Sequence, residues 1–145
     1  IMRWPGVIPA GQVLDQVGIT MDFTATMLQL AGATLPAGYV PEGINLMPIV
    51  TGDAPEVERT LFWRANNASA VRSGDMKLIV QGGTTFVYDV HNDPGERNDL
   101  TNMSQNEARR LQGLLNEWVA DVEAERASRA PQPTRAQREA ARAAQ

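Results

Sequence analysis

Apolar residues recur at helical spacing in the first third of the chain. Phe23, Met27 and Leu30 follow one another at intervals of four and three residues, which places them on one face of an α-helix. Thr20 or Asp22 can cap the start of this helix, and the glycine that follows its last turn suits the positive φ at which many helices end. The pattern therefore predicts an amphipathic helix with one apolar face.

The segments on either side of this helix carry shorter signals. Residues 1–12 are apolar but contain two proline turns, which predicts a short strand that ends quickly. Farther on, Asn45 can cap a second short helix that carries Leu46 and Ile49, with Pro48 confined to its first turn. The first third of the chain is thus predicted to combine one strand with two helices.

The hydrophobic period changes from helical to alternating at residue 60. Four short runs rich in β-branched and aromatic residues follow, at 60–64, 68–73, 75–80 and 84–90. The connections between them contain Asn66-Asn67, Ser73-Gly74 and Gly82-Gly83. Because connections this short join neighbouring antiparallel strands, the pattern predicts a four-stranded meander.

A helical period returns after residue 104. Ser104 and Glu107 match the capping box S-x-x-E. The apolar residues that follow at helical spacing are Leu111, Leu114, Leu115, Trp118, Val119 and Val122. This stripe predicts a long amphipathic helix that lies on the sheet. Residues 128–145 are rich in Ala and Arg without an apolar stripe, so we predict a flexible tail there.

Composition narrows the range of functions. The chain has 145 residues, 43% of them hydrophobic, and a formal net charge of −4, which fits one globular domain and argues against nucleic acid or an anionic membrane as the main partner. It contains no cysteine, which excludes disulfides, thiolate zinc sites and cysteine nucleophiles. No apolar run approaches the roughly 18 residues that a membrane-spanning helix needs.

No group of residues stands out as a catalytic or metal site. His91 is the single histidine, so a histidine metal cluster cannot form and a Ser-His-Asp triad would have to be built around a turn. The four acids between residues 88 and 100 lack the spacing of a calcium loop. The turn chemistry of Asp93-Pro94-Gly95-Glu96 assigns this corner a structural role instead.

Six segments of the chain together resemble a known family. They are MRWPGVIPAG (2–11), TMDFTATMLQLAGATLP (20–36), EGINLMPIVTG (42–52), LFWR (61–64), AVRSGDMKLI (70–79) and VYDVHNDPGERNDL (87–100). In this order they resemble the C-terminal part of the sulfatase family, in the alkaline-phosphatase-like superfamily. The resemblance covers residues 1 to about 126 and includes the late Trp118.

The resemblance implies an α/β protein. Residues 1–55 would be the C-terminal end of an alkaline-phosphatase-like catalytic α/β domain. Residues 56–127 would form a small domain, in which a four-stranded antiparallel sheet packs on a long C-terminal helix. As an isolated fragment the chain would be α+β, followed by the tail at 128–145.

The chemistry of the family is implied to lie outside this chain. Its nucleophile is a formylglycine made from the first residue of a C/S-x-P/A-x-R motif, and a calcium ion helps to hold the sulfate. No such motif occurs here. We therefore expect a sulfatase fragment that is inactive alone and has no catalytic residue, metal site or cofactor of its own. Calcium and formylglycine are expected only in the missing upstream part.

The resemblance also suggests substrate contacts and partners. Arg64, Asn66 and Asn67 are our candidates for lining the substrate pocket of the whole enzyme, because loops carry binding groups and an arginine can pair with an anionic sulfate. The expected partner is the missing N-terminal catalytic portion or a second copy of the chain, which would give a homo-oligomer. A parent enzyme that follows its family would be exported, to the periplasm or beyond.

Two alternatives stay open at the level of sequence. A related phosphodiesterase or phosphonate hydrolase shares this architecture, and the nucleophile motif upstream would distinguish it from a sulfatase. The other alternative is a stand-alone interaction or oligomerisation module without enzymatic activity. A reading frame that continues upstream of the Ile1 codon into C/S-x-P/A-x-R would favour the sulfatase, whereas a start codon there would favour the module.

Overall fold

The computed structural model describes residues 1–129. Its elements in chain order are α1 (Thr20–Leu30), α2 (Met47–Thr51), β1 (Thr60–Ala65), β2 (Ala68–Ser73), β3 (Met76–Gln81), β4 (Thr84–Asp89) and α3 (Gln105–Ser128). The chain divides into two compact units. Unit 1 contains Ile1–Leu61 and Arg72–Met76, and unit 2 contains Phe62–Val71 and the chain from Lys77 onward. The predicted tail beyond residue 129 lies outside the described residues.

The four strands form one sheet in the order β1-β2-β3-β4. Two residues connect each strand to the next, so each neighbouring pair is a tight antiparallel hairpin. Gly82 and Gly83, between β3 and β4, have φ angles of 57° and 86°, the positive values that both central residues of a type I′ turn require. Asn66 in the first turn has a φ of 50°, which asparagine tolerates better than most residues. The predicted meander is confirmed.

Hairpin geometry fixes which residues lie opposite one another. A two-residue turn places its two flanking residues opposite each other, and the pairing can be counted outward from there. The hydroxyl oxygens of Thr60 and Ser73 lie 3.2 Å apart, which agrees with this count for β1 and β2. Counted in the same way along the strands, one row across the sheet consists of Phe62, Val71, Leu78 and Val87.

This row faces α3 and forms the core of unit 2. The ring of Phe62 stacks on Trp118 of α3, with centroids 5.1 Å apart. The fully buried hydrophobic side chains of the unit are Val71, Leu78, Val87, Leu111 and Leu115. Burying one such side chain contributes about 1.5–3 kcal/mol before the loss of entropy is subtracted. The rest of the predicted stripe is half-buried, at Leu114, Trp118, Val119 and Val122.

The start of α3 lacks the predicted capping box. Ser104 is the N-cap, as predicted, but its side chain makes no capping hydrogen bond. Glu107 instead accepts two hydrogen bonds from the Arg110 guanidinium, at 3.0 and 2.6 Å. In a capping box the Glu107 carboxylate would accept a hydrogen bond from the backbone N–H of the N-cap residue. Arg110, one turn farther along the helix, competes for the same carboxylate.

The pattern of α1 predicted a helix correctly, and the structure shows which side of it attaches to the chain. The fully buried residues of α1 include the polar Asp22 and Thr26. Phe23, Met27 and Leu30 are 45%, 59% and 43% exposed. Polar side chains therefore hold α1 in unit 1, and its apolar face is left uncovered by the described chain.

The predicted N-terminal strand is wrong for this structure. Residues 1–19 form neither helix nor strand and contain a turn at residues 5–7. A strand needs a neighbour for its backbone N–H and C=O groups, and none of the described residues provides one here. The second helix is present, although its first residue is Met47, whose N–H donates to Asn45 Oδ1 at 3.0 Å.

Candidate functional site

The three residues predicted to contact substrate lie at one end of the sheet. Arg64 is on β1, and Asn66 and Asn67 form the turn that follows it. All three are exposed. The Gly82 N–H donates to the Asn67 carbonyl at 3.2 Å, which ties this turn to the turn between β3 and β4. The role of the three residues in binding stays a prediction.

Arg64 already has an anionic partner. Its guanidinium pairs with the carboxylate of Glu123 on α3, and the two side chains are 41% and 43% exposed. An ion pair this exposed stabilises a protein by at most about 1 kcal/mol. A sulfate group that accepts two parallel hydrogen bonds from the guanidinium could therefore replace the carboxylate.

A buried polar cluster in unit 1 was not predicted from the sequence. The Asp22 carboxylate accepts hydrogen bonds from the backbone N–H groups of Ile19 at 2.8 Å and Ile44 at 2.9 Å. It also pairs with the Arg59 guanidinium at 2.6 Å. The Asp22 side chain is fully buried, and that of Arg59 is 10% exposed. One carboxylate thus joins the start of α1 to two segments that are distant in sequence.

Thr26, one turn farther along α1, continues this cluster. Its hydroxyl accepts a hydrogen bond from the Leu46 N–H at 2.9 Å. The backbone just before this contact lies so close to α1 that a side chain on Gly43 would be 2.3 Å from the Met21 carbonyl oxygen. Only glycine fits at that position. We refer to the side chains of Asp22, Thr26 and Arg59 as the polar lock.

The polar lock is built for structure and not for proton transfer. Burial by itself raises the pKa of the Asp22 carboxyl, but hydrogen bonds from Arg59, Ile19 and Ile44 outweigh it and hold the pKa below its usual value. The carboxylate is therefore charged at neutral pH and its oxygens are occupied by protein donors. Sequence analysis identified Asp22 only as a possible cap, because Arg59 lies 37 residues away and no local pattern connects the two.

Two carboxylates of the acidic corner after β4, those of Asp89 and Asp93, stabilise its turns. The Asp93 carboxylate accepts hydrogen bonds from the N–H groups of Arg97 at 2.7 Å and Asn98 at 2.8 Å. The side-chain amide and backbone N–H of Asn92 both donate to Asp89 and hold its pKa below the usual value. These contacts assign the corner to chain reversal, the role that its turn chemistry predicted.

Metal ligands and membrane-spanning segments are not found in the described chain. Within residues 1–129, no group of three His, Cys, Asp or Glu side chains is arranged to hold a metal ion. His91 is exposed in the acidic corner. Among the helices of the same residues, none combines the length and apolar character needed to cross a membrane.

A cavity of about 310 Å³ lies beside α1 in unit 1. Its wall contains the apolar side chains of Leu28, Leu35 and Pro41 and the amides of Gln29 and Asn45. No titratable side chain lines it, so it offers no acid, base or nucleophile for catalysis.

Similarity to known proteins assigns this fold to a class. The matching curated relatives are sulfatases, and the chain is the C-terminal domain of a sulfatase. Residues 1–125 match the family described as N-sulphoglucosamine sulphohydrolase, C-terminal. The chain belongs to this family. The resemblance seen in the sequence is confirmed, together with the small antiparallel sheet and its long closing helix.

Two curated relatives illustrate the extent of the match. N-acetylgalactosamine-6-sulfatase of Canis lupus familiaris is 38% identical over 77 residues, which are 53% of this chain and 15% of the relative. Steryl-sulfatase of Homo sapiens is 39% identical over 74 residues, which are 50% of this chain and 13% of the relative. The matches therefore span only about one seventh of the length of these relatives.

Solved structures show the same fold. BT4656, in complex with its substrate D-glucosamine-2-N,6-O-disulfate, matches with a TM-score of 0.65 and 23% identity over 79% of this chain and 26% of that chain. The crystal structure of Ps i-CgsB matches with a TM-score of 0.68 and 19% identity over 79% and 27% of the two chains. Identities this low establish similarity of fold alone.

Proposed function

We propose that this chain completes a sulfuric ester hydrolase by docking onto a catalytic portion that lies outside it. In this proposal the formylglycine nucleophile and the calcium ion belong to that portion, and the chain supplies no catalytic residue or cofactor. The match to 13–15% of the length of curated sulfatases supports the existence of such a portion. The sulfatase relatives favour a sulfuric ester over a phosphodiester as the substrate of the parent enzyme. We also propose that the parent enzyme is exported, as in the family that the sequence resembles.

The distribution of exposed apolar side chains carries this proposal. Eleven of the fourteen exposed large hydrophobic residues in the described chain lie within residues 1–40. They include Trp4, Phe23, Met27 and Leu30, each more than two-fifths exposed. We call these four the N-terminal apolar residues. Soluble monomers rarely leave so much apolar surface uncovered in one region, so we expect a partner to cover it.

The polar lock explains why this region stays uncovered within the chain. Asp22 and Thr26 are fully buried on α1, and both accept hydrogen bonds from the segment that leads into α2. Turning α1 to bury Phe23 and Met27 would expose these contacts and leave Arg59 without its carboxylate. Because an unpaired buried charge is costly, the lock keeps the apolar face of α1 available to a partner.

Arg64, Asn66 and Asn67 are proposed to contact the sulfated substrate in the assembled enzyme. Their exposure at one end of the sheet and the weak pairing of Arg64 with Glu123 support this role. The family description names a sulphated glucosamine, and BT4656 binds a disulfated one. We therefore propose a sulfated amino sugar as the substrate class of the parent enzyme.

The first test is enzymatic. We expect the purified chain to leave both 4-nitrophenyl sulfate and sulfated glucosamine intact, because it lacks the nucleophile motif. The protein produced from the reading frame extended upstream of the Ile1 codon, with its formylglycine formed, is expected to hydrolyse at least one of them. Product release is measured in parallel for the two proteins. Turnover by the chain alone, with contaminating enzymes excluded, would contradict the proposal.

A matched pair of substitutions in the extended protein tests docking itself. Met27→Asp places a charge among the N-terminal apolar residues and is expected to reduce the yield of folded, active enzyme at least about tenfold, since a buried unpaired charge is costly. Met103→Asp is the control, because Met103 is 83% exposed and lies outside residues 1–40. Equal behaviour of the two variants would mean that Met27 is not at an interface.

Without its catalytic portion, the chain is expected to self-associate. A two-fold pair of copies is the simplest arrangement that covers the N-terminal apolar residues. Light scattering at micromolar concentration should give about twice the 15.8 kDa of one chain, and Phe23→Glu should restore the monomer. A monomeric parent chain with a protease-resistant N-terminal third would instead show that these residues have an internal partner.

A further inference from the structure

The outer edge of β4 is largely covered by the chain that follows it. Because β4 follows a two-residue turn, Thr85, Val87 and Asp89 direct their backbone N–H and C=O groups away from β3. Each of these three residues has a hydrogen-bond partner beyond the sheet. The Val87 N–H donates to the Asp99 carboxylate, and the Val87 carbonyl accepts a hydrogen bond from the Leu100 N–H. The Thr85 carbonyl accepts one from the Thr101 hydroxyl, and the Asp89 carbonyl accepts one from the Asp93 N–H.

The outer edge of β1 has no such cover. The same geometry directs the backbone groups of Trp63 and Ala65 toward β2 and those of Phe62 and Arg64 outward. Within residues 1–129, no hydrogen bond satisfies the outward N–H and C=O groups of Phe62 or Arg64. Among the described residues, these four main-chain groups on the β1 edge therefore have no partner and can pair with another strand.

Proline, which commonly prevents pairing at a sheet edge, is absent from β1. Its one charged side chain, Arg64, lies on the face of the sheet toward α3, where its guanidinium pairs with Glu123. Trp63, which points to the other face of the sheet, is 37% exposed. The edge thus has the properties of a strand that accepts a partner.

We propose that an extended segment of the sulfatase portion outside this chain pairs with β1 and adds a fifth strand to the sheet. This inference rests on the proposed function, since it assigns a second contact to the same partner. The match covers only 13–15% of the length of the curated relatives, so the rest of such a protein is long enough to contain this segment. Residues 1–129 cover most of the β4 edge and provide no partner for β1, which is why we assign the pairing segment to the portion outside this chain. Pairing through main-chain groups is the general mode by which an edge strand recruits another segment.

Residue-resolved hydrogen exchange tests this pairing directly. In the chain alone, the outward amides of Phe62 and Arg64 should exchange quickly, whereas the inward amide of Trp63 should be protected by β2. In the extended enzyme, the two outward amides should exchange at least about tenfold more slowly, as expected when a free amide becomes part of a strand ladder. The Trp63 amide serves as the internal control, because its partner is present in both proteins.

A proline substitution separates edge pairing from side-chain effects. Arg64→Pro removes an outward N–H without breaking a bond to β2, so the chain alone should fold as before. In the extended enzyme the same change should return the Phe62 amide to fast exchange. Arg64→Ala is the matched control, since it removes the same side chain but keeps the backbone N–H at position 64, and it should leave the Phe62 amide protected. If both variants behave alike, the β1 edge is not paired.

The outcomes distinguish this inference from the proposed function. An extended enzyme that is active but exchanges the Phe62 and Arg64 amides as fast as the chain alone overturns the fifth strand and keeps the sulfatase assembly. An extended protein that is folded but inactive on all sulfate esters overturns the proposed function. The exchange rates of the Phe62 and Arg64 amides in that protein still show whether a fifth strand is present. A reading frame that does not continue upstream of Ile1 overturns both.

Discussion

Replacing Asp22 by Ala is expected to lower the free energy of unfolding by about 3–5 kcal/mol, the range measured when one partner of a buried ion pair is removed. Arg59 would remain 10% exposed without its carboxylate, and the N–H groups of Ile19 and Ile44 would lose their acceptor. Arg59 would keep only its hydrogen bond to the Val17 carbonyl, at 3.3 Å, which does not neutralise its charge. The loss should therefore exceed that of an ordinary surface substitution, which is usually within about 0.5 kcal/mol.

Urea denaturation is the measurement for this variant, with amide exchange of α1 as the local readout. Asp15→Ala is the control, because Asp15 is an exposed acid in the same unit and its carboxylate has no part in the lock. A difference of less than about 1 kcal/mol between the two variants would mean that Asp22 contributes no more than a surface acid.

The polar lock also gives unfolding a defined pH dependence. The pKa of Asp22 is lowered in the folded chain, so its stabilisation is fully present above the unfolded-state pKa of about 3.9 and is lost as pH falls through the folded-state value. The parent chain should therefore keep the contribution of Asp22 from neutral pH down to about pH 4. Below that pH, the gap between the parent chain and Asp22→Ala should narrow.

Replacing Leu115 by Ala is expected to cost about 2–5 kcal/mol, the range for deleting a buried leucine side chain. Leu115 is 1% exposed on α3, in the core that the row of sheet residues forms with the helix. Leu114 is the matched control, because it is the adjacent residue of the same type and is only half-buried. Leu114→Ala should cost clearly less, since its methyl groups already contact solvent.

Thermal and urea unfolding of the two leucine variants decide this prediction. Equal losses at both positions would mean that α3 is rotated relative to the sheet from the orientation described here. Trp118 is a less sensitive probe, because its ring is half-buried and gains part of its stabilisation from stacking on Phe62. Aromatic pairs of this kind contribute about 0.5–1.5 kcal/mol beyond the area they bury.

The sheet and its closing helix could be predicted from sequence because their signals are local. Each turn between strands has two residues, and glycine or asparagine supplies the positive φ where it is needed. The strands are short runs rich in β-branched and aromatic residues, and the apolar stripe of α3 has helical period. Each element therefore specifies its own conformation and, through the short turns, its neighbour in the sheet.

Unit 1 was harder to predict because its determinants are distant in sequence. The contact between Asp22 and Arg59 spans 37 residues, and the close approach of Gly43 to Met21 spans 22. Periodicity locates the apolar face of α1 correctly but does not tell whether that face is covered by this chain. The strand expected at residues 1–12 failed for a related reason, since a strand forms only where a partner strand is present.

The candidate substrate residues show the same limit at the level of the site. Sequence analysis placed Arg64, Asn66 and Asn67 together because a strand and its turn are contiguous. It did not find that Glu123 pairs with Arg64, because the carboxylate comes from the far end of another element. Local motifs identify which residues are contiguous, but they do not identify a partner that lies in a distant element.

The two-residue hairpins have a consequence for how the molecule forms. Every strand of the sheet pairs with the strand next to it in the chain, so the sheet has low contact order. Local contacts of this kind close small loops, so little chain entropy is lost before the strands form their hydrogen bonds. They therefore form faster than pairings between distant segments. During synthesis on the ribosome, the meander can therefore fold as soon as it emerges, before any contact with more distant parts of the chain is needed.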